Sequence, residues 1–112
     1  MSTMPVRQPP PMPGRTPRGL REAIARWTPQ LLADFEADWK RTIAETYNLA
    51  AAPAFTTRWW ETFAIERDPD LAAHLHTLED RAAEESDSAR ARELLEDVSR
   101  IKYSVRALEP GE

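Results

Sequence analysis

The chain has 112 residues, a hydrophobic fraction of 41% with four tryptophans, and a net charge of −4. This length is enough for one small domain with an apolar core and too short for two. The absence of cysteine excludes disulfides and thiolate metal sites and fits a reducing cytoplasm. No apolar run reaches the ~20 residues of a membrane span, and the N-terminus lacks the apolar region of a signal peptide. We therefore expect a cytoplasmic protein that makes no membrane contact.

The N-terminal stretch is rich in proline and arginine. Six of the ten prolines lie at or before Pro17. Because proline lacks a backbone donor and favours extended conformations, this stretch cannot form a helix or a central strand. Residues 1–16 are therefore predicted to be a disordered tail. Its PPPMP segment (residues 9–13) is of the kind that docks on aromatic grooves of SH3- or WW-like domains, although a flexible leader is the simpler interpretation.

Three similar patterns mark helix starts, namely Thr16-Pro17, Thr28-Pro29 and Asp68-Pro69. In each, a side-chain oxygen can accept a hydrogen bond from a free backbone N–H, and proline loses a donor that has no partner there. With the apolar periodicity they predict helices over about 17–27 and 29–47, and further helices starting near Pro53 and Pro69. The second carries Phe35 and Trp39 on its apolar side. No segment alternates with period two, so the predicted fold class is all-α, a small bundle of four to five helices.

The last predicted helix has the most regular apolar stripe. The spacing of its members is three or four residues throughout, and they are Ala91, Leu94, Val98, Ile101, Val105 and Leu108. This is a heptad seam, which must lie against an apolar surface. Its phase does not continue the stripe of the preceding helix, so the chain either folds back at Ser86–Ser88 or projects. We expect a helical core domain over 17–85 and an amphipathic C-terminal helix over 86–112.

Two surfaces are predicted to bind a partner. Adjacent helical residues lie about 100° apart, so one of Trp59 and Trp60 points into the core and the other lies at its margin. We assign Trp59 to the core beside Phe55 and Phe63, and Trp60 to partner binding, since tryptophan is enriched at interface hot spots. The heptad seam is the second surface. Packing within the chain, a homodimer and docking in a groove of another protein are its three alternatives.

The sequence lacks patterns that indicate catalysis. It has no nucleophile elbow and no glycine-rich phosphate loop, and it contains three glycines in all. His74 and His76 are two residues apart, so they do not share a helix face and cannot chelate one metal together. We predict that the protein is not an enzyme, with no catalytic residue, no metal and no cofactor.

Charge is distributed unevenly along the chain. Residues 1–21 contain no acid and four arginines, which are Arg7, Arg15, Arg18 and Arg21, so the rest of the chain carries a net charge of −8. The acidic residues are densest between Glu79 and Asp97, on what is either a solvated helix face or a surface for a basic protein partner. An acidic body makes nucleic acid an improbable ligand of the folded part. An alternative hypothesis is a dimeric DNA-associated regulator that uses the four arginines as N-terminal arms.

The order of several short signals resembles a family of small uncharacterised actinobacterial helical proteins, a domain of unknown function. The signals are Thr16-Pro17, Leu20-Arg21, Phe35, the segment from Phe55 to Trp60 with its RWW motif, and Asp68-Pro69. The resemblance covers residues 13–83 and brings no catalytic residues. It implies an antitoxin-like role beside toxins of the RelE/ParE type. The chain departs from the family after Arg81, where the heptad helix replaces a short irregular tail. Our leading hypothesis is a non-enzymatic interaction module, the antitoxin that binds and occludes a small basic toxin.

Overall fold

A computed structural model describes residues 8–112, and residues 1–7 lie outside the described part. The described residues form five α-helices, which are α1 (Pro17–Trp27), α2 (Leu32–Trp39), α3 (Ala52–Glu66), α4 (Pro69–Glu84) and α5 (Ser88–Arg106). Residues 8–112 contain no strand, so the predicted all-α class is confirmed. No helix within residues 8–112 has both the length and the apolar character that a membrane crossing requires.

Two of the three predicted proline-capped starts are confirmed by side-chain hydrogen bonds. The Thr16 hydroxyl accepts the Gly19 N–H at 3.0 Å at the start of α1. One Asp68 carboxylate oxygen accepts the N–H groups of Asp70 and Leu71 at the start of α4. These bonds satisfy donors that the first turn of a helix leaves free, and they fix where both helices begin.

The third predicted cap, at Thr28, is wrong. Its side chain makes no capping bond, and its buried hydroxyl has no partner among residues 8–112. Thr28 also ends α1, where its backbone N–H donates to the Ile24 carbonyl at 2.9 Å. Pro29 then begins a single 3₁₀ turn, Pro29–Leu31, before α2. The residue therefore joins two helical segments that are packed end to end, and its hydroxyl is enclosed between them.

The second predicted helix, 29–47, is divided. After α2 the backbone widens into a π-helical turn, Lys40–Ala44, in which the Glu45 N–H donates to the Lys40 carbonyl. The Thr46 hydroxyl donates to the Thr42 carbonyl beyond this turn. The helical path ends at Tyr47, which adopts a left-handed φ of 52°. A 3₁₀ turn, Leu49–Ala51, then leads into α3.

Helix α5 folds back on the rest of the chain. Three residues separate it from α4, and the Asp87 carboxylate caps it by accepting the Ala89 N–H at 3.0 Å. It packs against α4 and α3, and its apolar residues share one core with those of α1–α4. The projecting alternative is therefore excluded for this fold, and residues 86–112 do not stand apart from the helical core.

The disorder predicted for residues 1–16 does not extend to residues 8–16. This segment, which we call the N-terminal strap, contains no helix or strand and lies against the helical body. Met12 is only 3% exposed, and its carbonyl accepts the Gly111 N–H at 2.8 Å. The Arg67 guanidinium donates to the Pro10 carbonyl at 2.7 Å. Because prolines offer carbonyls but no N–H groups, the donors to the Pro10 and Met12 carbonyls come from the rest of the chain.

Candidate functional site

An open groove lies between the start of α1 and α2. Its volume is about 630 Å³, and its lining residues are Thr16, Pro17, Arg18, Arg21, Phe35, Glu36 and Trp39. The aromatic rings of Phe35 and Trp39 supply its apolar floor, and charged side chains form its rim. This size and this combination of surfaces are typical of sites that take an apolar side chain of a ligand or partner.

The floor of the groove rests on a cluster of aromatic rings from α2 and α3. Phe35 packs edge-to-face on Phe55 and on Trp59, with ring centroids 5.1 and 5.2 Å apart. Trp39 meets Phe55 in the same way at 5.3 Å. Such contacts stabilise a pair by about 0.5–1.5 kcal/mol beyond the burial of its area. The floor is therefore held in a fixed shape and is preformed for binding.

A buried carboxylate holds the two helices of this cluster together. Asp38 accepts hydrogen bonds from Arg58 and Trp59 of α3, both at 2.8 Å, and from Thr42 and Arg41 within its own segment, at 2.9 and 3.0 Å. Burial raises the pKa of Asp38, but the hydrogen bonds from Arg58, Trp59 and Thr42 outweigh it and lower the pKa from 3.8 to about 2. The carboxylate stays ionised and fully bonded, so we assign it a structural role.

The rim of the groove consists of ion pairs that face solvent. The Arg21 Nε–H donates to the Glu36 carboxylate at 3.0 Å and links α1 to α2. Arg18 pairs with Glu22 at 3.3 Å, and the Arg18 side chain is 91% exposed. Exposed pairs contribute about 0–1 kcal/mol, so these side chains can turn toward an incoming partner at little cost.

A second constellation joins the strap to the end of α5. The Arg15 guanidinium lies 4.3 Å from the centre of the Trp60 ring. It also donates to the carbonyls of Arg106 and Leu108, at 2.8 and 3.0 Å. The last carbonyls of a helix lack intrahelical partners and carry partial negative charge, so a guanidinium is well matched to them. The Trp60 indole itself donates to the Val105 carbonyl at 3.1 Å.

The roles predicted for the tryptophan pair are reversed. Trp60 is 0% exposed and lies in the core, whereas Trp59 is half-buried and bonds to Asp38. The sequence argument holds that only one of the two can point inward, but it does not say which one. The choice depends on α5, which packs over the face of α3 that carries Trp60. Trp60 therefore offers no surface to a partner while the strap and α5 are in place.

The predicted partner-binding seam also lies inside the chain. Leu94, Val98 and Val105 are buried in the core. Ala91, Ile101 and Leu108 are half-buried at its edge. Of the three alternatives for the seam, the fold realises packing within the chain. A partner that uses these residues would have to displace a neighbouring element first.

The arginines of the nucleic-acid alternative are engaged in contacts within the chain. Arg15 binds Trp60 and the end of α5, Arg18 pairs with Glu22, and Arg21 pairs with Glu36. Arg7 lies outside the described residues. Each of the three described arginines therefore has a partner of its own within the chain.

The two histidines lie on the exposed side of α4. His76 contacts Glu66 at 3.0 Å and Glu79 at 3.6 Å, and His74 lines a shallow surface depression beside α5. Within residues 8–112, no group of three or more histidine, cysteine, aspartate or glutamate side chains is arranged to hold a metal ion.

Sequence reasoning missed both the groove and the strap site. The groove depends on the distance between two helices, which no local pattern encodes. The strap site did have a signal in Gly19, a glycine inside a helix, which marks a close approach of another backbone. A Cβ atom at Gly19 would lie 2.7 Å from the Gly14 carbonyl oxygen. Comparison with protein-family models, with curated proteins and with solved structures gives no match to this chain.

Proposed function

We propose that this chain is a non-enzymatic protein-interaction module of the cytoplasm, the antitoxin of a toxin–antitoxin pair that binds and occludes a small basic toxin. The observation that carries the proposal is the open groove over Phe35 and Trp39. Its apolar floor is preformed and its rim is charged, which is how the centre and edge of a protein interface are built.

The charge of the chain supports a basic partner. Residues 22–112 carry a net charge of −8. The side chains of Asp80, Glu84 and Glu96 are exposed on the α4–α5 hairpin. A field of this sign accelerates the encounter with a cationic protein and disfavours acidic competitors. The resemblance to the actinobacterial family points to the same class of partner.

The proposed mechanism is occlusion. An apolar side chain of the toxin enters the groove, and the acidic surface then lies against cationic residues that the toxin would otherwise present to RNA. Binding shields these cationic residues from RNA and requires no chemical step. The rim pairs of Arg18 and Arg21 open or shift as the partner docks.

The test is isolation of the tagged full chain from its own host, followed by affinity measurement with the protein that accompanies it. We expect one small basic protein. Trp39→Ala removes half of the groove floor, and Trp27→Ala is the matched control because Trp27 is partly exposed and lies outside the groove. Circular dichroism confirms that both variants are folded.

Trp39→Ala is expected to lower the affinity for the partner by about tenfold or more, since loss of a hot-spot side chain costs about 2 kcal/mol of binding free energy. Trp27→Ala is expected to leave the affinity within about twofold, as for contacts outside a hot spot. Equal affinity of both folded variants would show that the groove is not the site. Absence of any basic protein with the full chain would contradict the antitoxin proposal itself.

A further inference from the structure

We infer that the surface beneath the N-terminal strap is a receptor for a proline-containing, arginine-bearing segment of a basic partner protein, and that the chain's own residues 8–16 occupy it in the resting state. The inference deepens the proposed function by naming the chemistry of the partner. It rests on that function only in assigning a protein partner, because the receptor surface is tested below with a peptide.

The first part of this surface is a guanidinium site. Arg15 stacks on the ring of Trp60 and donates to two carbonyls at the end of α5. The ring face attracts a cation, and the two carbonyls accept from a planar group with several donors. A lysine ammonium would lose the stacking and the paired geometry. The site therefore selects arginine, the side chain that a basic protein partner offers in abundance.

The second part recognises the backbone of the segment. The Arg67 side chain, 9% exposed, donates to the Pro10 carbonyl at 2.7 Å, and the Gly111 N–H donates to the Met12 carbonyl at 2.8 Å. Gly111 has a φ of 91°, which residues with a side chain rarely adopt. Both donors bind carbonyls that any residue supplies. They therefore fix the path of a bound segment without restricting its sequence.

The third part is the apolar position that Met12 fills at 3% exposure. Together the three parts bind a segment with an apolar anchor and, three residues later, an arginine. Proline between them favours the extended conformation before binding, which lowers the entropy cost.

The strap is suited to displacement by a competing segment. Residues 8–15 contact the body of the protein and take no part in the backbone hydrogen bonds within the five helices, whereas Thr16 stays in place as the N-cap of α1. Because the strap is tethered to the surface that it covers, it competes with a partner segment at an effective concentration on the order of millimolar. A partner segment therefore displaces the strap by binding this surface more tightly or by making further contacts elsewhere. Displacement would uncover the face of the Trp60 ring on which Arg15 stacks, and Trp60 is a residue that the sequence assigns to partner binding.

The experiment uses the full chain and a synthetic peptide with the sequence of residues 8–16. Gly19→Ala forces the Gly14 carbonyl away, because the new Cβ would lie 2.7 Å from its oxygen. The helix α1 itself is not weakened, since alanine has a higher helix propensity than glycine. Gly14→Ala is the matched control, since its Cβ would meet nothing within 4 Å. Hydrogen exchange of the Gly111 amide reports strap release in each variant.

We expect Gly111 exchange to accelerate in Gly19→Ala alone, and the peptide to bind that variant at least ~10-fold more tightly than the wild type or Gly14→Ala, because the tethered competitor is removed. A peptide with alanine at the arginine position should bind at least ~10-fold more weakly than the native peptide, as expected for loss of a charged anchor. Released strap with no binding of the native peptide, or equal binding of both peptides, would overturn the inference.

Arg15→Ala serves as the second variant if Gly19→Ala leaves Gly111 exchange unchanged, because it empties the guanidinium site directly. The native peptide must then bind it more tightly than it binds the wild type, and failure to do so would overturn the inference. Dimers in which two wild-type chains exchange straps, detected by mass, would also overturn it by making a second copy the occupant. None of these results depends on whether a toxin accompanies the chain, so the proposed function is tested separately.

Discussion

The carboxylate of Asp38 accepts the indole N–H of Trp59 at 2.8 Å and so ties α2 to α3 beside the floor of the groove. The same carboxylate accepts from Arg58 of α3. Since Trp59 also packs edge-to-face on Phe35, one polar contact fixes an aromatic ring that supports the groove. The shape of the proposed binding site therefore depends on a group that no ligand needs to touch.

Asp38→Asn is expected to lower the free energy of unfolding by about 2–3 kcal/mol, because it removes charge-assisted bonds and leaves buried donors poorly satisfied. Asp34→Asn is the control, an exposed acid on the same helix, for which we expect a change within about 0.5 kcal/mol. Urea denaturation measures both. Equal losses in the two variants would contradict the structural role of Asp38.

The stability of the protein should depend on pH through the same group. The folded pKa of Asp38, about 2, is lower than its ordinary value of 3.8. A lowered pKa means that the stabilisation is present above about pH 4 and is lost as the pH falls toward 2, and it amounts to about 2 kcal/mol. Between pH 6 and pH 3, urea denaturation should show a smaller loss of unfolding free energy for Asp38→Asn than for the wild type. Parallel curves would refute this assignment.

Two adjacent leucines on α5 test its fold-back. Leu94 is buried in the core, whereas Leu95 is 53% exposed. Leu94→Ala should cost about 2–5 kcal/mol of unfolding free energy by creating a cavity. Leu95→Ala should change it by no more than about 0.5 kcal/mol. If α5 projected from the body, thermal or urea unfolding would give small and similar values for both.

Two ion pairs of α5 differ in exposure and should differ in strength. Glu61 of α3, 14% exposed, accepts from Arg106 at 2.6 Å, whereas the Asp97–Arg100 pair lies in solvent. Glu61→Gln is expected to cost about 1–2 kcal/mol, since a charged partner is replaced at a poorly hydrated site. Asp97→Asn should cost less than about 0.5 kcal/mol. A larger loss for Asp97→Asn in urea denaturation would reverse this ranking.

The left-handed backbone at Tyr47 leads us to expect that glycine is more stabilising than alanine at this position. The ring is 90% exposed, so its removal loses few contacts, but a φ of 52° strains any residue with a side chain. The free energy of unfolding of Tyr47→Gly should therefore be about 0.5–1 kcal/mol higher than that of Tyr47→Ala. Within a helix the order is the opposite, because alanine is more stabilising there than glycine. Thermal denaturation compares the two variants. A more stable alanine variant would show that the strain is absent in solution.

Local patterns predicted the elements well and their partners poorly. The caps at Thr16 and Asp68 were predictable because a capping bond spans two or three residues. The all-α class was predictable because apolar spacing reports helical periodicity directly. The cap at Thr28 failed because that residue is shared by two segments, and the continuous second helix failed where the backbone widens into the π-helical turn Lys40–Ala44.

The sequence by itself determined the helical class, most helix starts and the apolar stripe of α5, since each depends on interactions between residues close in the chain. Only the tertiary structure decided what that stripe covers, which of Trp59 and Trp60 is buried, and that residues 8–16 are bound. These outcomes depend on contacts such as Trp60 with Val105 and Arg15 with Leu108, between residues 45 and 93 positions apart. Spacing along one segment shows that an apolar face must be covered, but the covering element is chosen by the packing of the whole chain.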